Sequence, residues 1–133
     1  MPVLNLRVAP LQNPERYPAL AQALTRITER VLHKQADVTA VTIDDLPAAR
    51  WYVGGQDVQR PTAQLEIHIT AGTNTAAEKA EFVRAAHAEL ERQLGHGGPL
   101  EAASYVIVRE VPATDWGYGG QTQQGRRGAR AAA

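Results

Sequence analysis

The sequence contains no cysteine. A disulfide framework, thiolate catalysis and cysteine–zinc sites are therefore excluded. An excess of charge of either sign is missing too: 14 Lys+Arg balance 14 Asp+Glu, for a formal net charge of +0. Nucleic-acid binders normally gather a basic surplus on one face, so no nucleic-acid partner is expected. No apolar run approaches the roughly 18 residues of a membrane span. Met1 leads through Pro2 straight into a strand-like segment, without the basic and apolar regions of a secretory signal. The expectation is a cytoplasmic protein with no membrane partner. The four histidines, His33, His68, His87 and His96, lack the spacing of a zinc site. No Ser–His–Asp signature or phosphate loop is present, so neither a metal nor a cofactor is expected. Aromatic residues make up only 5% of the chain, which makes its two tryptophans informative.

What is present is the composition of one folded domain: 133 residues, 44% apolar and 21% charged. It carries an internal repeat. Leu46-Pro47-Ala48, Trp51 and Gly54-Gly55 return as Val111-Pro112-Ala113, Trp116 and Gly119-Gly120 at identical internal spacing. Self-similarity of this kind divides the chain into two structural units. The units span residues 2–55 and 63–120, joined near Gln56–Thr62.

Each unit reads the same way. Val3–Val8 alternates, with Leu4, Leu6 and Val8 on one face, the period of a half-buried strand. Asn13-Pro14 signals a helix start, which Pro18 shifts toward Arg16. Tyr17, Leu20, Leu24, Ile27 and Val31 then form an amphipathic stripe, and Thr39–Asp45 is the next strand. In the second unit Leu65–Thr70 is a strand. Thr75 and Glu78 have the spacing of a capping box. Phe82, Val83, Ala86, Leu90 and Leu94 form the stripe, Gly95 to Pro99 stop the helix, and Tyr105–Glu110 is the last strand. A strand–helix–strand unit crosses over to make parallel neighbours. The predicted fold class is α+β: tandem β-α-β units forming a four-stranded sheet with two helices on one face. The opposite face, carrying Asn5, Arg7, Thr42, Asp44, His68, Thr70, Tyr105, Ile107 and Arg109, is either wet or covered by another subunit. Residues 1–125 make the domain, and 126–133 read as a disordered basic tail.

Alone, a proline in second position says little. It opens directly into a strand, however, and with Met1 removed its nitrogen is a secondary amine. Burial and nearby cations would draw that amine toward neutrality, where a general base works best. Pro2 before a strand, the β-α-β unit, the hairpin ending in Gly-Gly and the tandem duplication together resemble the tautomerase superfamily, over almost all of residues 2–120. The stretch Val106–Ala113 through Trp116-Gly117-Tyr118-Gly119-Gly120 is similar to the end of a 4-oxalocrotonate tautomerase subunit. The two-unit chain resembles the fused members and the cis-3-chloroacrylic acid dehalogenase group.

That resemblance implies a tautomerase/MIF-like fold assembling as a homotrimer around a catalytic Pro2. It also implies a small-molecule 2-oxo acid or enol as substrate. Trp51 and Trp116 match the family's aromatic pocket wall. Ala63 stands where the second unit would begin with proline, so one catalytic proline per chain is expected. The family's carboxylate-binding arginines are replaced, by Gln12 and Asn74 before the helices and by Ala40 and Tyr105 opening the second strands. Gln12, Tyr105, Arg7 or Arg109 is then expected to orient the substrate. The dehalogenase group's arginine pair is also absent. The leading expectation is a cofactor-independent tautomerase. A hydratase, dehalogenase or decarboxylase-type lyase on the same scaffold is the alternative, and a non-catalytic oligomeric binding module is the reading if Met1 is retained.

Overall fold

The computed structural model describes residues 2–11 and 13–132. In chain order it contains strand β1 (Val3–Ala9), helix α1 (Arg16–Leu32) and strand β2 (Ala40–Asp45). A short hairpin β3 (Tyr52–Val53) and β4 (Gln56–Asp57) follows. The second unit repeats the series with β5 (Thr62–Thr70), α2 (Ala76–Leu94), β6 (Tyr105–Val111) and hairpin β7 (Gly117–Tyr118) and β8 (Gln121–Thr122). A third helix, α3 (Gln123–Ala132), ends the chain.

The four long strands form one sheet in the order β2-β1-β5-β6. β1 runs parallel to β2, and β5 parallel to β6, while the two units meet antiparallel through β1 and β5. Each parallel pair brackets one helix, as a crossover connection requires. Both helices cover the same face. Leu4, Leu6, Val8, Leu65, Ile67 and Ile69 point into it and are essentially inaccessible to water. Against them pack Leu20, Leu24, Ile27 and Val31 of α1 and Phe82, Ala86, Leu90 and Leu94 of α2. Full burial of each large side chain is worth about 1.5–3 kcal/mol. Val83 falls off the expected stripe and is 39% exposed; it stands about 100° around the helix from Phe82, outside the contact.

α1 begins at Arg16, after a turn in which the Arg16 amide donates to the Asn13 carbonyl at 3.0 Å. Pro18 lies in the first turn, where its missing N–H would have had no partner. α2 begins with the capping box: Glu78 N donates to Thr75 Oγ1 (3.1 Å), and Thr75 N donates to Glu78 Oε1 (2.8 Å).

The duplication is visible in the backbone. Val58 donates to the Trp51 carbonyl and Gln123 to the Trp116 carbonyl, both at 2.9 Å. Within the stretch where the sequence pattern predicts disorder, residues 126–132 lie in α3. That helix has local anchors which no hydrophobic period announces. Gln124 N donates to the Ala113 carbonyl at 2.9 Å, and the Arg126 guanidinium lies 3.7 Å from the Tyr118 ring centroid. Arg126 also donates to the Tyr118 carbonyl through Nε (3.2 Å) and Nη2 (2.8 Å).

Candidate active site

Pro2 is buried at the start of β1, an inner strand of the sheet, and its carbonyl accepts the Ala40 amide at 3.2 Å. Val3 sits opposite Ala40 on one side and His68 on the other. One step further, Pro2 is therefore level with Thr39 and Ile69. The residues next to these, Val38 and Thr70, line a cavity of about 250 Å³. Its remaining wall comes from His33, Lys34 and Gln35 just after α1, from Thr73, and from Tyr118, Gln123 and the Arg126–Arg127 pair.

Trp116 closes on the same end of the sheet. Its indole Nε1–H donates to Thr70 Oγ1 at 3.2 Å, and Thr70 is only 5% exposed. The rim is braced across the two helices. Asn74 Nδ2 donates to the Leu32 carbonyl (3.0 Å) at the end of α1 and to Glu78 Oε1 (3.4 Å). Glu78 Oε2 in turn faces His33 Nε2 at 3.2 Å. The Thr75 amide, and after it the hydroxyl and amide groups nearby, hold the Glu78 carboxyl below its usual range. Lys34 Nζ donates to Thr73 Oγ1 at 2.8 Å. Burial lowers the Lys34 pKa, Arg127 pushes the same way, and Glu78 opposes them.

Of the other sequence-selected residues, Arg109 stands level with His68 and Val3, two strands across from the Pro2 strand, while Trp51, Tyr105 and Arg7 lie at the far end. Trp51 follows β2 and joins Arg7, Asp44, Asp45 and Arg50 around a second cavity, at the far end of β1. Tyr105 opens β6 beside Gln64, also at that far end, and is 60% exposed. Seven residues of strand, about 20 Å, separate the two ends. A single chain thus places Pro2 and Trp116 at the same end of the sheet, and Trp51 and Tyr105 at the other. Arg7 and Arg109 stand on the open face of the sheet. Arg109 is engaged by Glu66 (Nε to Oε2, 3.2 Å), which holds the Glu66 carboxyl below its usual range. Gln12 lies outside the described residues.

Ala63 occupies the position equivalent to Pro2. Pro2 precedes the Val3–Ala40 pair as Ala63 precedes the Gln64–Tyr105 pair. Its nitrogen is an amide that donates to Ser104 Oγ at 3.1 Å. An amide nitrogen has no available lone pair for proton transfer, so the far cavity lacks the base its twin could hold.

Sequence reasoning missed Lys34, Thr70, Gln123 and Arg127 as parts of the Pro2 end. The only signal was the pair of arginines in the tail, which composition alone could not dock. Among the described residues no group of histidines and carboxylates could hold a metal ion. No described helix is long and apolar enough to cross a membrane.

No protein-family model and no curated protein matches the chain. Solved structures do. The chain superposes on a wild-type fused 4-OT symmetric trimer, Q0, with TM-score 0.81 at 23% identity, covering 93% of this chain and 98% of that one. A second, the asymmetric trimer F6 fused 4-OT, gives TM-score 0.75 at 27% identity, with 90% and 96% covered. Pt0534 inactivated by 2-oxo-3-pentynoate gives TM-score 0.80 at 15% identity, with 92% and 96% covered.

Proposed function

From the fused tautomerase-superfamily architecture of this chain, we propose that it is a cofactor-independent tautomerase acting on a small unsaturated 2-oxo acid. The observation that carries this reading is the burial of Pro2 at the end of the sheet where Thr70, which accepts the Trp116 indole N–H, lines a cavity. With Met1 removed, the Pro2 nitrogen is a secondary amine fixed by the sheet. Burial disfavours its charged form, and the neutral form is the one a general base needs near neutral pH.

The reaction balances without a cofactor. Pro2 takes the proton from the enol hydroxyl, electrons move through the conjugated system, and a proton returns to the distal carbon to leave the 2-oxo acid. Trp116 walls the apolar part of the substrate and keeps water from the carbanion-like carbon. The inactivation of Pt0534 by a 2-oxo alkynoate supports a substrate of this class. Assembly as a homotrimer, as the fused 4-OT neighbours do, would cover the open sheet face. It would also let a neighbour supply the Trp51 and Tyr105 end.

Ketonisation of phenylenolpyruvate or 2-hydroxymuconate, followed by absorbance, tests the proposal. Pro2→Ala replaces a secondary amine with a primary one and is expected to lower kcat by about 10²–10⁴-fold, the usual contribution of a positioned base. Unchanged turnover would reject Pro2 as the base. Intact mass spectrometry reports whether Met1 is gone. A retained methionine leaves an amide at Pro2 and turns the scaffold into a binding module.

A further inference from the structure

α1 and α2 run antiparallel: Gln93, near the end of α2, donates through Nε2 to the Ala19 carbonyl near the start of α1 at 3.3 Å. Between them lies an open groove of about 660 Å³, which neither Pro2 nor either tryptophan lines. Its floor is Ala23, Ile27 and Ala85, each at most 7% exposed, with the small Ala88 beside them. Four arginines stand around it, Arg26 and Arg30 on α1 and Arg84 and Arg92 on α2, against two carboxylates, Glu29 and Glu89. The chain as a whole has a net charge of +0, so this surplus is a local concentration. The two sides of the groove differ. Glu81 holds Arg84 and Glu89 holds Arg92, each pair within α2. Hydrogen bonds from Arg84 and Arg92 are the main cause that keeps the Glu81 and Glu89 carboxyls below their usual range, and Arg30 and Arg26 add a weaker pull through space. Among the described residues Arg26 and Arg30 make no ion pair.

We infer that the groove between α1 and α2 docks an acidic helix of a partner protein, one that presents Asp or Glu at i and i+4 to Arg26 and Arg30. Four residues of helix separate these arginines, about 6 Å. A second α-helix has the same rise per residue, so carboxylates four residues apart on it meet both guanidinium groups at once, each in the planar fork that arginine favours. The alanines of the floor let such a helix approach to an ordinary packing distance of about 8–10 Å between axes. A nucleic-acid strand fits less well, because Glu29 and Glu89 stand among the arginines and would face its phosphates. A trimer closed through the open sheet face would leave this side outward, so docking and assembly do not compete. The inference is independent of the role of Pro2.

The test follows the binding of fluorescein-labelled model helices to the full chain by anisotropy. The acidic probe is an alanine-based peptide of about 20 residues, long enough to be helical alone, with two Glu four residues apart on one face. One control replaces both Glu with Lys, and another keeps the charge but breaks the helix with proline. The acidic helix is expected to bind more tightly than either. Arg26→Glu/Arg30→Glu is expected to weaken it about tenfold, since two exposed pairs worth a few-fold each become repulsions. Arg26→Gln/Arg30→Gln is expected to weaken it less. Ala88→Phe fills the groove without changing charge and is expected to weaken it too. Salt of about 1 M, where the Debye length is about 3 Å, is expected to reduce binding. Melting temperature and ketonisation are expected to stay near the parent values in all three variants. A chain that binds the acidic helix but ketonises nothing rejects the tautomerase reading and leaves the docking groove standing. Equal affinity for the three probes, or affinity indifferent to Arg26 and Arg30, overturns the inference. So does an oligothymidine strand that binds through these arginines while the acidic helix does not, or sedimentation showing two copies joined through this face.

Discussion

Thr70→Val isolates the bond that sets Trp116. Valine keeps the shape of threonine and replaces the hydroxyl with a methyl, so the indole N–H, which can only donate, loses its acceptor at 3.2 Å. A neutral hydrogen bond contributes about 0.5–1.5 kcal/mol, and stranding the buried donor adds up to about 1–3 kcal/mol. Trp116 is only half-buried, so water recovers part of the second amount and the expected loss is about 1–2 kcal/mol. For a chain of this length that is a fall in melting temperature of roughly 3–10 °C, read at fixed protein concentration because assembly shifts apparent stability. Thr70→Ser keeps the oxygen and removes one methyl, about 0.8 kcal/mol. Stability separates these two variants weakly, and fluorescence separates them well. In a Trp51→Phe background the emission belongs to Trp116 alone. Thr70→Val is expected to shift it to the red and to lower kcat/KM by up to about tenfold, whereas Thr70→Ser leaves both near the parent. Equal emission from the valine and serine variants would refute the claim that this hydroxyl anchors the wall of the site.

Acid stability and hairpin geometry give two further tests. The Thr75 amide holds Glu78 below its ordinary value of 4.5, and the Lys79 ammonium, followed by the Gly72 amide, does the same for Glu110. Because the unfolded chain takes up protons first, the stabilisation is complete above about pH 4.5 and drains away as pH falls through the folded values. Glu78→Gln is therefore expected to flatten the acid limb of stability against pH, measured by urea titration across the acid range; an unchanged slope would remove the cap as its source. Gly117 differs from the other hairpin glycines, since a Cβ there would overlap the Gln121 carbonyl in the paired strand. Gly117→Ala is expected to open the β7–β8 hairpin, increase proteolysis across residues 117–122 and abolish activity. Gly54→Ala meets nothing within 4 Å and pays only for its positive φ of 60°, about 1 kcal/mol.

The architecture was legible because each unit repeats strong local signals. Alternation in Val3–Val8, the stripe from Leu20 to Val31 and the Thr75–Glu78 cap all describe contacts within one element, and all appear where the pattern puts them. The Trp and Gly-Gly repeat located both hairpins. Of the candidate site residues, Pro2 and Trp116 lie at one end of the sheet and Trp51 and Tyr105 at the other. Aligning the two halves of the sequence makes Trp51 and Trp116 equivalent, but equivalence under antiparallel pairing of β1 with β5 sends them to opposite ends of the sheet. Lys34 and Gln123 escaped notice because a polar residue after a helix and another before a basic tail have no period. Their meeting depends on where α3 docks, and that is decided by a guanidinium on a tyrosine ring rather than by apolar patterning.

The bond from Ala63 to Ser104 has a lasting consequence. With two repeated halves in one polypeptide, what would be a second free end is an internal amide tied to a serine hydroxyl, which no aminopeptidase can free. In the tautomerase reading, a covalent duplication of this kind halves the number of reactive ends per amount of scaffold. In return it leaves the far half, whose cavity sets arginines and aspartates side by side, to serve a neighbouring subunit without holding a base of its own.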